Sequence, residues 1–110
     1  MANFTYKVLG QAAPPATTET DLYTVPLSAQ TVVSTLTCSN RGAPTTTFRI
    51  SVSVGGAATT NKDYLYYDIS IRGHDCFATT IGVTLNAGDV IRVYAGNANL
   101  SFAAFGSEYL

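Results

Sequence analysis

The sequence predicts an all-β fold, a single-domain antiparallel β-sandwich of about eight strands with an extended N-terminal arm. A jelly-roll-like sandwich fits best, and an immunoglobulin-like one is the alternative. Three observations point there. Thr, Val, Ile, Tyr and Phe, which suit a pleated and half-buried surface, are abundant. Several short segments alternate apolar and polar residues, and none repeats apolar residues at helical spacing over three turns. Turn signals separate these segments at roughly the 8–12-residue intervals of a sandwich or barrel.

The elements follow in chain order. Phe4 to Leu9 reads as a strand. Gln11 to Thr18, with adjacent Pro14 and Pro15 among small residues, reads as a stiff extended connector unable to join a central strand. Residues 1–18 are therefore expected to form a strand and connector, and residues 19–110 the sandwich. An N-terminal strand so tethered either folds back as an edge strand or reaches to a neighbouring molecule. Leu22 to Val25 is the next strand. In Thr31 to Ser39 the residues Val32, Leu36 and Cys38 are expected on one face, opposite Thr31, Thr35 and Thr37. Thr47 to Val54 is the clearest alternation, with Phe48, Ile50, Val52 and Val54 dry and Thr47, Arg49, Ser51 and Ser53 wet. Asp63 to Ile69 sets Leu65, Tyr67 and Ile69 against Tyr64, Tyr66 and Asp68, so both of its faces carry apolar or aromatic bulk. Phe77 to Thr84, Asp89 to Ala95 and Leu100 to Tyr109 complete the set, with Gly82 and Gly106 as expected bulges or bends. Turns are expected at Asn40-Arg41-Gly42, Gly55-Gly56, Arg72 to Asp75, Asn86 to Asp89 and Gly96 to Asn99.

Composition narrows the function. A chain of 110 residues is one domain, long enough to bury a core. Charged residues make up 12% and the net charge is -1, against a usual charged share of about 25%. Nucleic-acid binding through phosphate neutralisation needs clustered Lys and Arg, which are lacking. No stretch approaches the roughly 18 apolar residues of a membrane helix. The N-terminus shows no basic end followed by an apolar run, so synthesis and folding in a cytoplasm are expected. Two cysteines, Cys38 and Cys76, make either one bridge or two thiols, and that compartment favours thiols.

Chemistry is sparse. His74, Asp75 and Cys76 adjoin one another, but consecutive residues point in different directions and do not assemble a triad. A turn histidine followed by an aspartate bonding its own backbone is the simpler reading. One His and two distant Cys make no zinc site. Nothing pairs two of the seven acids for hydrolysis, and there is no phosphate-binding glycine loop or Gly-x-Ser-x-Gly elbow. No catalytic residue, metal ligand or cofactor is expected.

The tyrosines say more. Tyr64, Tyr66 and Tyr67 lie within four residues. Such a cluster fills a core, builds an interface or offers a stacking platform for sugars. Wet faces of Thr and Ser with few charges suit a surface covered in an assembly, because a monomer needs mixed charge to stay soluble and to blunt its edges. The interface candidates are Phe4, Tyr6, Pro14, Pro15, Tyr64, Tyr66 and Tyr67.

Lys7-Val8-Leu9-Gly10-Gln11 before Pro14, Leu22 to Pro26, Cys38 to Gly42 and Thr47 to Ile50 resemble segments of a family of small virion structural proteins of tailed bacteriophages. So do Tyr64 to Asp68, Asp89 to Tyr94 and the ending Leu100 to Glu108. These motifs are strand cores and turns and cover nearly the whole chain. The resemblance implies a non-catalytic homo-oligomer bound to other virion proteins, and identical subunits closing by cyclic symmetry would make it a dimer or trimer. It would be a capsid decoration (cement) protein bound to the major capsid or other virion proteins, or a tail, neck or baseplate component. A surface carbohydrate-binding module is a further alternative.

Overall fold

Two four-stranded antiparallel sheets face each other in the computed structural model, which describes residues 4–110. The strands are β1 (Phe4–Ala12), β2 (Thr20–Thr24), β3 (Gln30–Asn40), β4 (Thr46–Ser53), β5 (Tyr64–Ile71), β6 (Cys76–Asn86), β7 (Val90–Ala95) and β8 (Leu100–Tyr109). Sheet A runs β1-β8-β3-β6 and sheet B runs β2-β7-β4-β5. Every connection except β4 to β5 therefore crosses from one sheet to the other. That order is a jelly roll. The immunoglobulin-like alternative falls, because its first two strands share a sheet, whereas β1 and β2 do not.

The core lies between the sheets and is built from the alternating residues of the inner strands. Leu36 and Cys38 of β3, Phe48 and Ile50 of β4, Ile91 and Val93 of β7, and Leu100, Phe102 and Ala104 of β8 are buried. Phe48 packs on Phe77 at 5.1 Å and on Phe102 at 6.2 Å between ring centroids, an aromatic centre shared by both sheets.

Strand positions follow the sequence expectations, but several faces do not, and bulges are the reason. On β3 the pairing with β8 steps from Val33↔Gly106 to Thr35↔Phe105, which leaves Ser34 as an extra residue. Side-chain period is two, so one extra residue inverts the faces beyond it. Thr31 and Val33 are buried before the bulge and Leu36 and Cys38 after it, while Val32 is 43% exposed, against expectation. Strand β1 bulges at Leu9 at the same level, between Val8↔Phe105 and Gly10↔Ala104. Strand β6 carries its extra residues at Ile81 and Gly82, where Gly82 has φ 65°. A crease thus crosses all of sheet A.

Gly106 is not a bend. A Cβ there would fall inside the van der Waals envelope of the Val32 carbonyl, so glycine is required by close approach of two backbones. Gln11 and Ala12, expected in the connector, pair with Ala103 and Phe102 as the end of β1. Strand β4 stops at Ser53, and Val54 opens a 3₁₀ turn and is exposed rather than dry. Ser51 and Ser53, expected wet, are buried. Arg92 reaches over them from β7, donating to Ser53 Oγ (3.0 Å), Ala57 O (2.7 Å) and Gly56 O (3.2 Å), and so folds the β4–β5 loop across that part of sheet B.

Candidate functional site

Several ionisable groups are engaged in holding the fold. Asp89 caps the turn that precedes β7, its Oδ1 accepting from the Gly55 amide at 2.8 Å and its Oδ2 from the Asn86 amide at 2.9 Å. Asp75 Oδ1 accepts from the Cys76 amide at 2.8 Å, as expected for a turn aspartate. His74 sits in the same turn with φ 59° and donates its amide to Gly42 O at 3.0 Å. Both cysteines are free, Cys38 in the core and Cys76 exposed. Cys76 pairs with Ser39, the residue after Cys38, so the two thiols lie on opposite faces of sheet A. Burial pushes the Cys38 thiol up to about 12, which leaves it an inert apolar filler. Among the described residues no three His, Cys, Asp or Glu side chains gather as a metal site.

One polar cluster escaped the sequence reading. Where the sheets meet beside β1, Tyr23 Oη–H donates to Glu108 Oε2 at 2.5 Å, and Lys7 Nζ donates to Glu108 Oε1 at 3.1 Å. Thr31 Oγ1 lies 2.8 Å from Tyr23 Oη and donates to it, since the tyrosine proton is already committed. Four strands meet there, and both Tyr23 and Glu108 are buried. The Tyr23 hydroxyl, then Lys7, hold the Glu108 carboxyl below the usual carboxylate range. Burial, then the carboxylate, pushes the Tyr23 phenol up to about 12. The pairing joins residues 85 positions apart. The sole local signal was an acid inside an otherwise apolar terminal strand.

The tyrosine cluster divides. Tyr66 is half-buried, its ring 5.1 Å from Phe77 and its hydroxyl donating to Thr79 Oγ1 at 3.2 Å, so it closes the gap between edge strands β5 and β6. Tyr67 stands on the outer face of sheet B and takes the Arg49 guanidinium over its ring at 4.3 Å, while Tyr94 takes the other side at 4.2 Å. Arg49 also holds Asp68 with Nε–Oδ1 at 2.7 Å. Tyr64 meets Tyr67 nearly edge-on, 79° between planes. These rings and Arg49 form a clamp that fixes β5.

Phe4 and Tyr6 lie at the opposite side of the molecule. Strand β1 folds back on β8 and forms an edge of sheet A, with Phe4 paired to Tyr109 and Tyr6 to Ser107. Phe4 contacts both aromatic neighbours, Tyr6 at 5.0 Å and Tyr109 at 5.9 Å, yet Tyr6 remains 82% exposed. Within the connector Pro14 is buried and Pro15 is exposed. The outer face of sheet A carries Phe4, Tyr6, Val8, Val32 and Tyr109 toward one end and small hydroxyl or methyl side chains toward the other, Thr35, Thr37, Ser39 and Ala103 among them. A groove of about 530 Å³ opens at the apolar end, lined by Phe4, Thr31, Val32, Leu85, Asp89 and Tyr109. Its one acid is Asp89, whose two oxygens are already taken by backbone amides.

No protein-family model matches the sequence, and no curated protein matches it. Solved structures share the fold. A chain of infectious bursal disease virus, Gx strain, superposes with TM-score 0.57 and 7% identity, over 99% of this chain and 32% of that one. This chain thus spans about a third of that protein's length. A chain of the acidic stable capsid structure of Helicobacter pylori bacteriophage KHP30 superposes with TM-score 0.51 and 17% identity, over 100% of this chain and 94% of that one. The jelly roll is therefore a fold that virus and phage capsid structures contain.

Proposed function

We propose that this chain is a non-enzymatic structural subunit of a phage virion, a capsid decoration (cement) protein that oligomerises and binds the major capsid protein. The observation that carries the reading is the overlap of the whole chain with nearly the whole of a chain from a phage capsid structure.

The site geometry agrees. The buried and clamped ionisable groups bond to one another or to backbone, and a charge-poor surface suits a molecule covered by neighbours. The test is to locate the subunit on purified parent particles by electron microscopy and count its copies. Many copies distributed over the shell support a decoration protein. A few copies at one vertex move the subunit to the tail, neck or baseplate. Absence from the particle, with no co-sedimentation of the purified protein, ends the reading.

A further inference from the structure

The charges of this molecule are segregated. Asp21, Arg49, Asp68 and Arg92 stand on the outer side of sheet B, paired as Arg92–Asp21 at 2.9 Å and Arg49–Asp68 at 2.7 Å. Sheet A is different. Its two charged strand residues, Lys7 and Glu108, turn toward sheet B and bond each other at 3.1 Å. Among the described residues no charged side chain rises from the outer face of its four strands. Arg41 lies at the rim, tied down to Ser101 Oγ at 2.8 Å and Ala98 O at 2.9 Å.

The edges of sheet A are equally bare. Strand β6 (Cys76–Asn86) has no charged residue and no proline along its 11 residues, and β1 has only the inward Lys7. An exposed sheet in a monomer normally carries lysines or other charges as protection against association. Sheet B does so, with a bulged edge strand and ion pairs, while sheet A has none outside its crease.

We propose that the outer face of sheet A is a self-association surface whose occupant is the same face of a second copy, related by a two-fold axis. Size is adequate. Four strands about 4.8 Å apart and about ten residues long at about 3.3 Å per residue present about 600 Å², close to the about 800 Å² that each partner contributes to a standard interface. Chemistry selects the partner. An ordinary protein surface set against this face would lose water from its charges and find no counter-charge. A second copy of the face brings none. A two-fold arrangement uses one patch twice, so an uncharged patch meets itself without repulsion. Thr and Ser hydroxyls supply both donors and acceptors, and Tyr6 and Val32 supply apolar contact.

This deepens the oligomeric part of the function proposed above, and the two readings fail separately. Analytical ultracentrifugation of the free full chain tests the face, and binding to stripped particles tests the virion role. The wild type is expected to sediment as a dimer that dissociates on dilution. Val32→Glu and Thr84→Glu, both on the outer face, should each weaken association at least about tenfold, because each copy would bury a charge against a face that offers no counter-charge. Ser70→Glu on the exposed β5 edge should leave association unchanged. Circular dichroism checks folding, and Thr84→Glu carries the test if Val32→Glu does not fold. A wild type that is monomeric at every accessible concentration overturns the proposal. So do face variants that associate like the wild type, or a Ser70→Glu variant that weakens association as much as they do. Particle binding that survives in dissociated variants leaves the virion reading standing without this dimer.

Discussion

Tyr23, Glu108, Lys7 and Thr31 show how a few side chains lock strands that are far apart in sequence. Removing the phenolic hydroxyl by Tyr23→Phe leaves one oxygen of a buried carboxylate without its donor. The expected cost is about 1–3 kcal/mol, read as a fall in melting temperature of several degrees. The same cluster sets a pH dependence. Because the Glu108 carboxyl is held below its ordinary range, its stabilisation is fully present above that range and is lost as the solution is acidified. Because the Tyr23 phenol is pushed up to about 12, its contribution persists at neutral pH. That contribution declines as pH climbs from about 10, where a free phenol ionises, toward the folded value. Melting curves across pH should show both limbs for the wild type. Glu108→Gln should flatten the acid limb; an unchanged acid limb would mean that other carboxylates govern it.

At the scale of elements, bulges decide which face each residue presents. Gly82 and Gly106 both lie in sheet A but do different jobs. Gly82 has φ 65° and open space around its missing side chain, so Gly82→Ala meets only backbone strain, about 1–2 kcal/mol. Gly106→Ala would drive a methyl group into the β3 backbone. It is expected to destabilise by clearly more, at least about 3 kcal/mol, with β3 and β8 forced apart. Denaturant midpoints of the two variants give the comparison, and equal losses would contradict this assignment of roles. Edge strand β5 depends on its clamp in a similar way. Arg49→Lys keeps the charge but loses the planar stack between Tyr67 and Tyr94 and the fork toward Asp68. Amide exchange in β5 should then speed up while the amides of β3 stay protected.

Over the whole molecule, each sheet supplies half of the buried wall, and β1 is part of that wall rather than a loose arm. It pairs along β8 from Phe4↔Tyr109 to Ala12↔Phe102, and it delivers Lys7 to the buried carboxylate. Deleting residues 1–12 is therefore expected to abolish the cooperative thermal transition, as an isolated β8 edge and an uncompensated Glu108 would remain. A truncated chain that still melted cooperatively near the wild-type temperature would show that β1 is dispensable. If truncation abolishes folding as expected, loss of particle binding on truncation reports only that lost folding, which is why single charges placed on a face are the sharper probes of interaction.

Much of the architecture was legible residue by residue. Alternation in Thr47 to Ser53 and in Asp89 to Ala95, and turn glycines such as Gly55, Gly56 and Gly88 with φ 66°, 74° and 85°, located strands and turns because period and backbone freedom are local properties. The scarcity of charge was equally plain. Val32 was misplaced because the extra residue Ser34 is defined only against the partner strand. Ser51 and Ser53 were misplaced because Arg92, some forty positions on, draws a loop over them. Strand order, the seating of Tyr23 against Glu108 and the gathering of every strand charge away from one face are long-range pairings. The sequence by itself determined that the chain folds as a β-sandwich with a charge-poor surface. Tertiary structure alone decided that this surface is divided into a charged side and a charge-free one, because a side chain's direction depends on register, and register is set between strands rather than within them.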